Sequence, residues 1–503
     1  MSNNNSIIYT RFPPEPNGYI HLGHLKAMMF DFEKYNNCKC FLRLDDTNPE
    51  SETQEFVDNI IEDTEWLNFN IYKITYTSDY FDILLEYAIA LIKNEKAYVD
   101  FSSIDQIKSM RKEKIESEYR NKPIEWHLEE FENMRSGKYK ENQVVLRLKI
   151  DMQNVNGTLR DPIAYRIKYT PHYKTLTKYC IYPSYDYSHG IVDALENITY
   201  SYCTMEFYTR RDQYYWPIIE LNKLGYNLKP AQVQEFGKLV VENNILSKRN
   251  IIKLIKSGEI IGFDDPRLLT IKGLRKRGFT ADILRKIINE NTSMERNDTL
   301  LTEDIIKHYL RTELDKISYR MFAVIDPLSV SIMDQNFERI CEHSNHPLNK
   351  NFYSHNTILD KNIYIEKSDF KEVDDKNYYR IAPGKIVRLK YADFIKYESH
   401  DDNILVVKNI IPENPKKIKG IIHWVSEKDS IECEFEIYDT LLKNNEFNKD
   451  SKIIKYGRLE KSALEYLDKI LQFERVGFFR FDRFENNKPI FIRIIDLVDK
   501  FNK

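Results

Sequence analysis

His21-Leu22-Gly23-His24 is the first stretch whose residue types suggest chemistry. Two imidazoles one turn apart can both reach one phosphate and stabilise charge that grows there during displacement. Gly23 lets a ligand approach the backbone, and the start of a helix presents unpaired N–H groups to an anion. Far downstream, Ile245-Leu246-Ser247-Lys248-Arg249 reads as a loop that can close over a triphosphate. Lys248 would neutralise the α-phosphate oxygens and the leaving pyrophosphate. Asp45, in an acidic pair with Asp46, offers a carboxylate suited to an ammonium group, with a helix cap as the competing reading. Tyr185 offers a hydroxyl that both donates and accepts, as an amide ligand requires, with ordinary core packing as the competing reading.

These residues need elements to position them. Residues 6–10 are apolar and β-prone, and Pro13-Pro14-Glu15-Pro16-Asn17-Gly18 makes a turn. Leu22, Leu25, Met29 and Phe32 then recur at helical spacing, and Phe41, Leu42 and Leu44 form a strand that ends in Asp45-Asp46-Thr47. Strand, turn, helix and strand make a βαβ unit, in which ligands sit at the C-terminal ends of parallel strands. Residues 51–97 read as helical. Residues 98–180 change character, with a charged helix around 125–137 and strand-like Val144-Val145-Leu146-Arg147-Leu148, and read as an inserted domain. The α/β pattern returns over 181–250. Residues 251–317 read as helical, with Lys272, Arg275, Lys276 and Arg277 dense in one segment. From about 319 the period shifts towards two, as in Tyr378-Tyr379-Arg380-Ile381, Ile386-Val387-Arg388-Leu389 and Ile421-Ile422-His423-Trp424-Val425, which predicts barrel or sandwich strands.

With 503 residues and 42% hydrophobic content, the chain has material for several cores. A net charge of −3 leaves room for a local basic surface but not for a uniformly basic protein. Six scattered cysteines exclude a disulfide framework and fit a reducing compartment, so a cytoplasmic protein is expected. Cys38 and Cys40 lack a second pair, and Cys341, His343 and His346 read as a solvated loop, so no metal ligand is assigned. The polar N-terminus is no secretory signal, and no apolar run is long enough to span a membrane.

The motifs together resemble the class I aminoacyl-tRNA synthetases of the glutamyl/glutaminyl subfamily, and most of all its glutaminyl members. The resemblance rests on Thr10 to Tyr19 followed by the HLGH motif, Arg43-Leu44-Asp45-Asp46-Thr47-Asn48-Pro49, Tyr182 to Asp186, Ile191 to Glu196, Cys203 to Phe207, Asp264-Asp265-Pro266-Arg267, Ala323 to Pro327, Gly420 to Val425 and Gln472 to Arg475. It implies a ligase that activates glutamine with ATP and Mg²⁺ and transfers it to the 3′ end of tRNA-Gln, acting as a monomer. It implies a Rossmann-type α/β catalytic domain in two halves (1–97 and 181–250), an acceptor-stem-binding insert (98–180), a helical connector (251–318) and two anticodon-binding β-barrels (319–503). By the same resemblance Glu15, Pro16, Asn17, His21, Gly23, His24, Lys26, Thr204, Lys238, Leu239, Leu246, Ser247 and Lys248 line the ATP site, with His21, His24 and Lys248 catalytic. Arg11, Asp45, Tyr185 and Cys203 hold glutamine. Arg320, Arg380, Arg388, Lys390, Gln472 and Arg475 serve the anticodon, since arginine and glutamine hydrogen-bond splayed bases.

Glutamyl relatives resemble this chain closely but carry an arginine where Cys203 stands. That arginine would pair with a γ-carboxylate, and a neutral thiol would not. A glutamyl or non-discriminating enzyme, and an inactive tRNA-binding paralogue, are the alternatives. The family pattern before the second loop contains a glutamine that serves specificity. Here Pro230-Ala231-Gln232-Val233-Gln234-Glu235-Phe236 leaves open whether Gln232 or Val233 takes that place. Leu246 replaces the usual methionine, Leu268 and Leu269 stand for Met-Pro, and Lys390 stands where arginine is more usual.

Overall fold

The computed structural model describes residues 7–244, 248–333, 338–375, 377–401, 403–444 and 446–498. Two compact units divide the chain: residues 1–240 with 284–301, and residues 241–283 with 302–503.

In the first unit β1 (Ile8–Phe12), α1 (Leu22–Glu33) and β2 (Cys38–Leu44) form the expected βαβ unit. Leu22, Leu25, Met28 and Phe32 bury the inner face of α1, so Met28 takes the core position expected of Met29. β1 pairs parallel to β2, and β2 to β3 (Ile71–Tyr76). The segment expected to be helical throughout therefore contains α2 (Gln54–Trp66), the strand β3 and α3 (Phe81–Lys93). Its apolar residues satisfy both periods, and only pairing with β2 decides between them. Ala97–Asp100, Val145–Leu148, Ile163–Ile167 and Ile181–Pro183 form β4 to β7 of a separate antiparallel sheet, with α4 (Ile104–Glu113) and α5 (Ile124–Arg135) between its first two strands. The chain then returns through α6 (Tyr185–Leu195) to β8 (Tyr200–Thr204), α7 (Arg211–Lys223) and β9 (Gln232–Phe236), with β8 and β9 parallel. Thr199 N–H donates to Tyr9 O at 2.7 Å, which seats β8 beside β1. The C-terminal ends of β1, β2 and β8 thus face one crevice, where open α/β sheets bind ligands.

The second unit begins with helices Lys248–Lys256 and Ile271–Arg277 and includes Glu303–Ile317. Two seven-stranded sheets follow. In one, Tyr319–Met321 and Ala323–Val324 occupy opposite edges although a single residue separates them. In the other, Ile421–Ile422 and Val425–Ser426 occupy opposite edges with only two residues between them. A sheet whose two edges are supplied by one short segment must curl until those edges approach, so both sheets are barrel-like. Phe435, Phe473, Phe479 and Phe491 fill the first, and Val330, Ile363, Leu389, Val407 and Trp424 the second.

Two local expectations need correction. Tyr378–Ile381 is not a strand; only Ile381 bridges, to Phe370, because the side chains of Tyr378 and Arg380 turn to Ser368 O instead of a partner strand. Cys341, His343 and His346 do not lie in a solvated loop. The strand Arg339–Ser344 pairs with Ser354–Leu359, which turns Cys341 and His343 inward, and His346 is buried against Asp315 O. Among the described residues no helix is long and apolar enough to cross a membrane.

Candidate active site

The HxGH segment is fixed by its own backbone. His21 caps α1 in an extended conformation, and its Nδ1 accepts from Gly23 N–H at 3.1 Å. His24 Nδ1 accepts from His21 N–H at 3.1 Å, and the two rings stack with centroids 3.8 Å apart. A neutral imidazole that accepts at Nδ1 carries its proton on Nε2, so each ring keeps an Nε2–H to donate. Burial pushes the His21 pKa down to about 4, and burial plus the neighbouring His21 ring pushes His24 well below the ordinary histidine range. Both rings are therefore neutral donors at physiological pH. Asp45 N–H donates to Pro14 O at 3.0 Å and Thr53 N–H to Pro16 O at 3.3 Å, which ties the Pro-rich turn to the end of β2. Beside it Asn17 bonds Glu15.

Not every expected ATP residue stands free. Lys26 is buried, and its Nζ donates to Gly237 O at 2.6 Å and Thr299 Oγ1 at 3.2 Å, so it braces the segment after β9. Lys238 is exposed and ion-paired with Glu206, Leu239 is buried, and Thr204 ends β8 with its hydroxyl 3.5 Å from Glu206. Leu246, Ser247 and the Lys248 side chain lie outside the described residues.

A solvent-open cleft lies against α6, α7, β8 and β9, and Arg11, Tyr185, Cys203, Gln213 and Val233 contribute to its wall. Gly190 permits this construction, since a Cβ there would come within 2.5 Å of Tyr214 O, and so α6 and α7 approach closely. Beneath the cleft Asp193 gathers Arg11 at 3.1 Å, Arg43 and the Tyr214 hydroxyl at 2.7 Å. Arg43 also meets Glu196 at 2.9 Å. Burial opposes the Asp193 charge, but Arg11 and Arg43 overcome it and hold the carboxyl well below the usual range. Arg43, His189, Asp193, Gln213 and Tyr214 were not singled out from sequence. Arg43, Asp193 and Glu196 lie in stretches that carry the family resemblance, but no role was attached to them there.

Asp45 is buried, accepts from the Thr77 hydroxyl at 3.0 Å, and leaves Oδ2 without a hydrogen-bond partner, 3.6 Å from His189 Nδ1. Burial would raise its pKa, yet His189, Arg43 and Thr77 together hold it below the ordinary value, so it is a carboxylate. Asp46 differs. Burial pushes it up to about 7 against hydrogen bonds from Ser78 and Tyr173.

The charges around the cleft are matched. Arg11 pairs with Asp193, Arg210 with Asp186, and Arg211 with Glu235. Burial pushes the Cys203 thiol up to about 12, so it is neutral. Along β9, Val233 lines the cleft, Gln232 is exposed and Gln234 Oε1 accepts from Lys34 at 3.4 Å.

In the second unit Arg380 and Arg475 converge on Asp369, at 3.2 and 2.7 Å. Arg320 lies opposite Gln472 in strand register and is buried against Asp315, and Gln472 Oε1 is buried without a partner. Lys390 pairs with Glu474, and Arg388 is exposed above the Phe394 ring.

Residues 7–316 match the model of tRNA synthetases class I (E and Q), catalytic domain, and residues 318–411 and 421–482 match two anticodon-binding domain models of the same group. The chain is 39% identical to the cytoplasmic glutamine–tRNA ligase of Arabidopsis thaliana over 99% of its own length and 66% of that protein's. It therefore spans just under two thirds of this plant relative. It is 37% identical to the glutamine–tRNA ligase of Buchnera aphidicola subsp. Schizaphis graminum, over 99% of this chain and 95% of that one. It is 38% identical to that of Nitrosomonas europaea, over 99% and 96%. With one group of models matching from residue 7 to residue 482, the chain belongs to the class I tRNA synthetases (E and Q).

Proposed function

We propose that the protein is a glutamine–tRNA ligase. It activates glutamine with ATP, taken as the magnesium complex, and transfers the acyl group to the 3′ end of tRNA-Gln. The observation that carries the choice of amino acid is the charge balance of the cleft. Its three arginines already face Asp193, Asp186 and Glu235, and Cys203 is a neutral thiol. A glutamate γ-carboxylate would lose its hydration there without gaining a cation, whereas a carboxamide carries no charge to match.

The roles follow from the chemistry. Asp45, with Oδ2 unspent, takes the substrate ammonium, and the Tyr185 hydroxyl faces the side-chain amide. The Nε2–H donors of His21 and His24 stabilise negative charge on the phosphate as the substrate carboxylate attacks the α-phosphorus and pyrophosphate leaves. Lys248 neutralises the same oxygens. The terminal ribose hydroxyl of the tRNA then attacks the acyl carbon and AMP departs. Residues 98–180 take the acceptor stem, and the barrels of 319–503 read the anticodon through Arg320, Arg380, Arg388, Lys390, Gln472 and Arg475. The protein acts as a cytoplasmic monomer.

Charging of tRNA-Gln and tRNA-Glu transcripts with labelled glutamine tests the assignment. Acid-precipitable label on tRNA-Gln alone is expected. Absence of glutaminyl-tRNA, from protein that binds the transcript, refutes it.

A further inference from the structure

The family pattern expects a glutamine from β9 in the amino-acid cleft, yet in this chain no glutamine of β9 reaches it. Val233 occupies the wall with its N–H bonded to the Tyr215 hydroxyl at 3.1 Å, Gln232 is exposed, and Gln234 sits by Lys34. A valine side chain can neither donate to an amide nor accept from one. A different glutamine is present. Gln213, in the first turn of α7, lines the same cleft, is 2% exposed, and has a buried Nε2 with no hydrogen-bond partner. Its neighbours do not spare it. The Tyr214 hydroxyl is committed to Asp193, and Arg211 to Glu235.

We propose that Gln213 is the residue that reads the side-chain carboxamide of the amino-acid substrate, replacing the glutamine that β9 does not supply. The inference rests on the glutamine reading above. A buried amide N–H left unpaired is costly, and few persist without a ligand or water to satisfy them. A primary amide facing another pairs twice: Nε2–H donates to the substrate oxygen, and Oε1 accepts from the substrate N–H. A carboxylate only accepts, so glutamate would set a negative oxygen against Oε1. A site built to hydrogen-bond a substrate N–H rejects the analogue that lacks it, because its own polar group is then left unmatched. Placement on α7 suits the role, since a helix holds the amide more rigidly than a loop.

The test uses the full-length protein with Gln213→Leu, which keeps the volume and removes both polar atoms. The expected result is a 10- to 100-fold rise in the KM for glutamine, as two neutral hydrogen bonds predict. The KM values for ATP and tRNA should be unchanged, and the thermal midpoint of the free protein should equal or exceed the parent's. A merely structural glutamine would lower that midpoint and leave the glutamine KM alone. Should the leucine variant fail to fold, the near-isosteric Gln213→Glu carries the same expectation for the KM. A glutamine KM within twofold of the parent's, in either folded variant, overturns the proposal. The parent enzyme is assayed alongside with glutamine and glutamate. If it charges glutamate instead, the reading of the substrate has failed, and that outcome is separate from a Gln213 variant that behaves like its parent.

Discussion

Replacing Cys203 with arginine should turn the cleft towards glutamate. Cys203 is a neutral thiol in a wall where Arg11, Arg210 and Arg211 are already matched by Asp193, Asp186 and Glu235. A guanidinium added at position 203 finds no uncommitted carboxylate among the described lining residues. The acid opposite it in strand register is Glu235, whose two oxygens both face Arg211. The new cation therefore gains most from a carboxylate carried in by the substrate. A hydrogen bond to a charged group is worth about 1.5–3 kcal/mol, which is about 10- to 150-fold in a ratio of rates. The kcat/KM for glutamate relative to glutamine should rise by that factor in Cys203→Arg. The assay is aminoacylation under single-substrate conditions, with each amino acid varied in turn against saturating ATP and tRNA. The free variant should melt below the parent, because its added cation is unpaired until substrate arrives. A ratio unchanged within threefold in a folded variant would mean that charge matching in this cleft does not set the choice, and the reasoning fails.

Three further expectations concern the phosphate site and the acidic pair. Lys248→Ala should slow adenylate formation by on the order of 10²-fold through lost phosphate stabilisation; a single-turnover rate equal to the parent's removes Lys248 from that role. His21 should titrate near pH 4, by NMR of its ring protons, and not near the ordinary 6.5. Its folded pKa lies below the unfolded one, so its contribution to stability falls as pH drops from 6.5 towards 4. Asp46 has the opposite sign: its folded pKa, about 7, lies above the unfolded 3.8, so stability is lost as pH rises through that window. Between pH 5 and 8 Asp46→Asn should remove up to about 2–3 kcal/mol of that loss, read as a shallower pH dependence of the urea midpoint. Parallel curves for variant and parent would place the proton elsewhere.

The βαβ start was legible because three signals agreed there. The strand, the Pro-rich turn and the helical spacing after His21 each point to the same elements, and His21 and His24 appear where a helix begins. Period two after residue 319 likewise announced strands. Two things were hidden, for different physical reasons. β3 was lost inside a helical reading because its identity as a strand comes from pairing with β2, which is a tertiary fact. Tyr378–Ile381 failed in the opposite direction: the alternation is there, but its side chains are spent locally. In the candidate site, the motif residues could be named from sequence, while the network beneath them could not. Asp193 matters because Arg11 and Arg43, distant in sequence, converge on it. The register of β9 was undecidable from Gln232-Val233-Gln234, since polar residues flank the valine on both sides and either alignment is locally acceptable. Pairing of Tyr200 with Gln232 and Cys203 with Glu235 is the tertiary fact that puts Val233 on the cleft wall. Gln213 carried no signal at all, for nothing in Arg211-Asp212-Gln213-Tyr214 separates a cleft residue from a surface one.

The most direct test of the account is a competition in one tube. The protein is given ATP, tRNA-Gln, and equimolar glutamine and glutamate at concentrations below saturation, and the acyl group on the tRNA is identified after hydrolysis. A cleft whose cations are all matched should release glutamine alone. Glutamate recovered in comparable amount would mean that a cation in the cleft is free to receive it, and would contradict the charge-matching account.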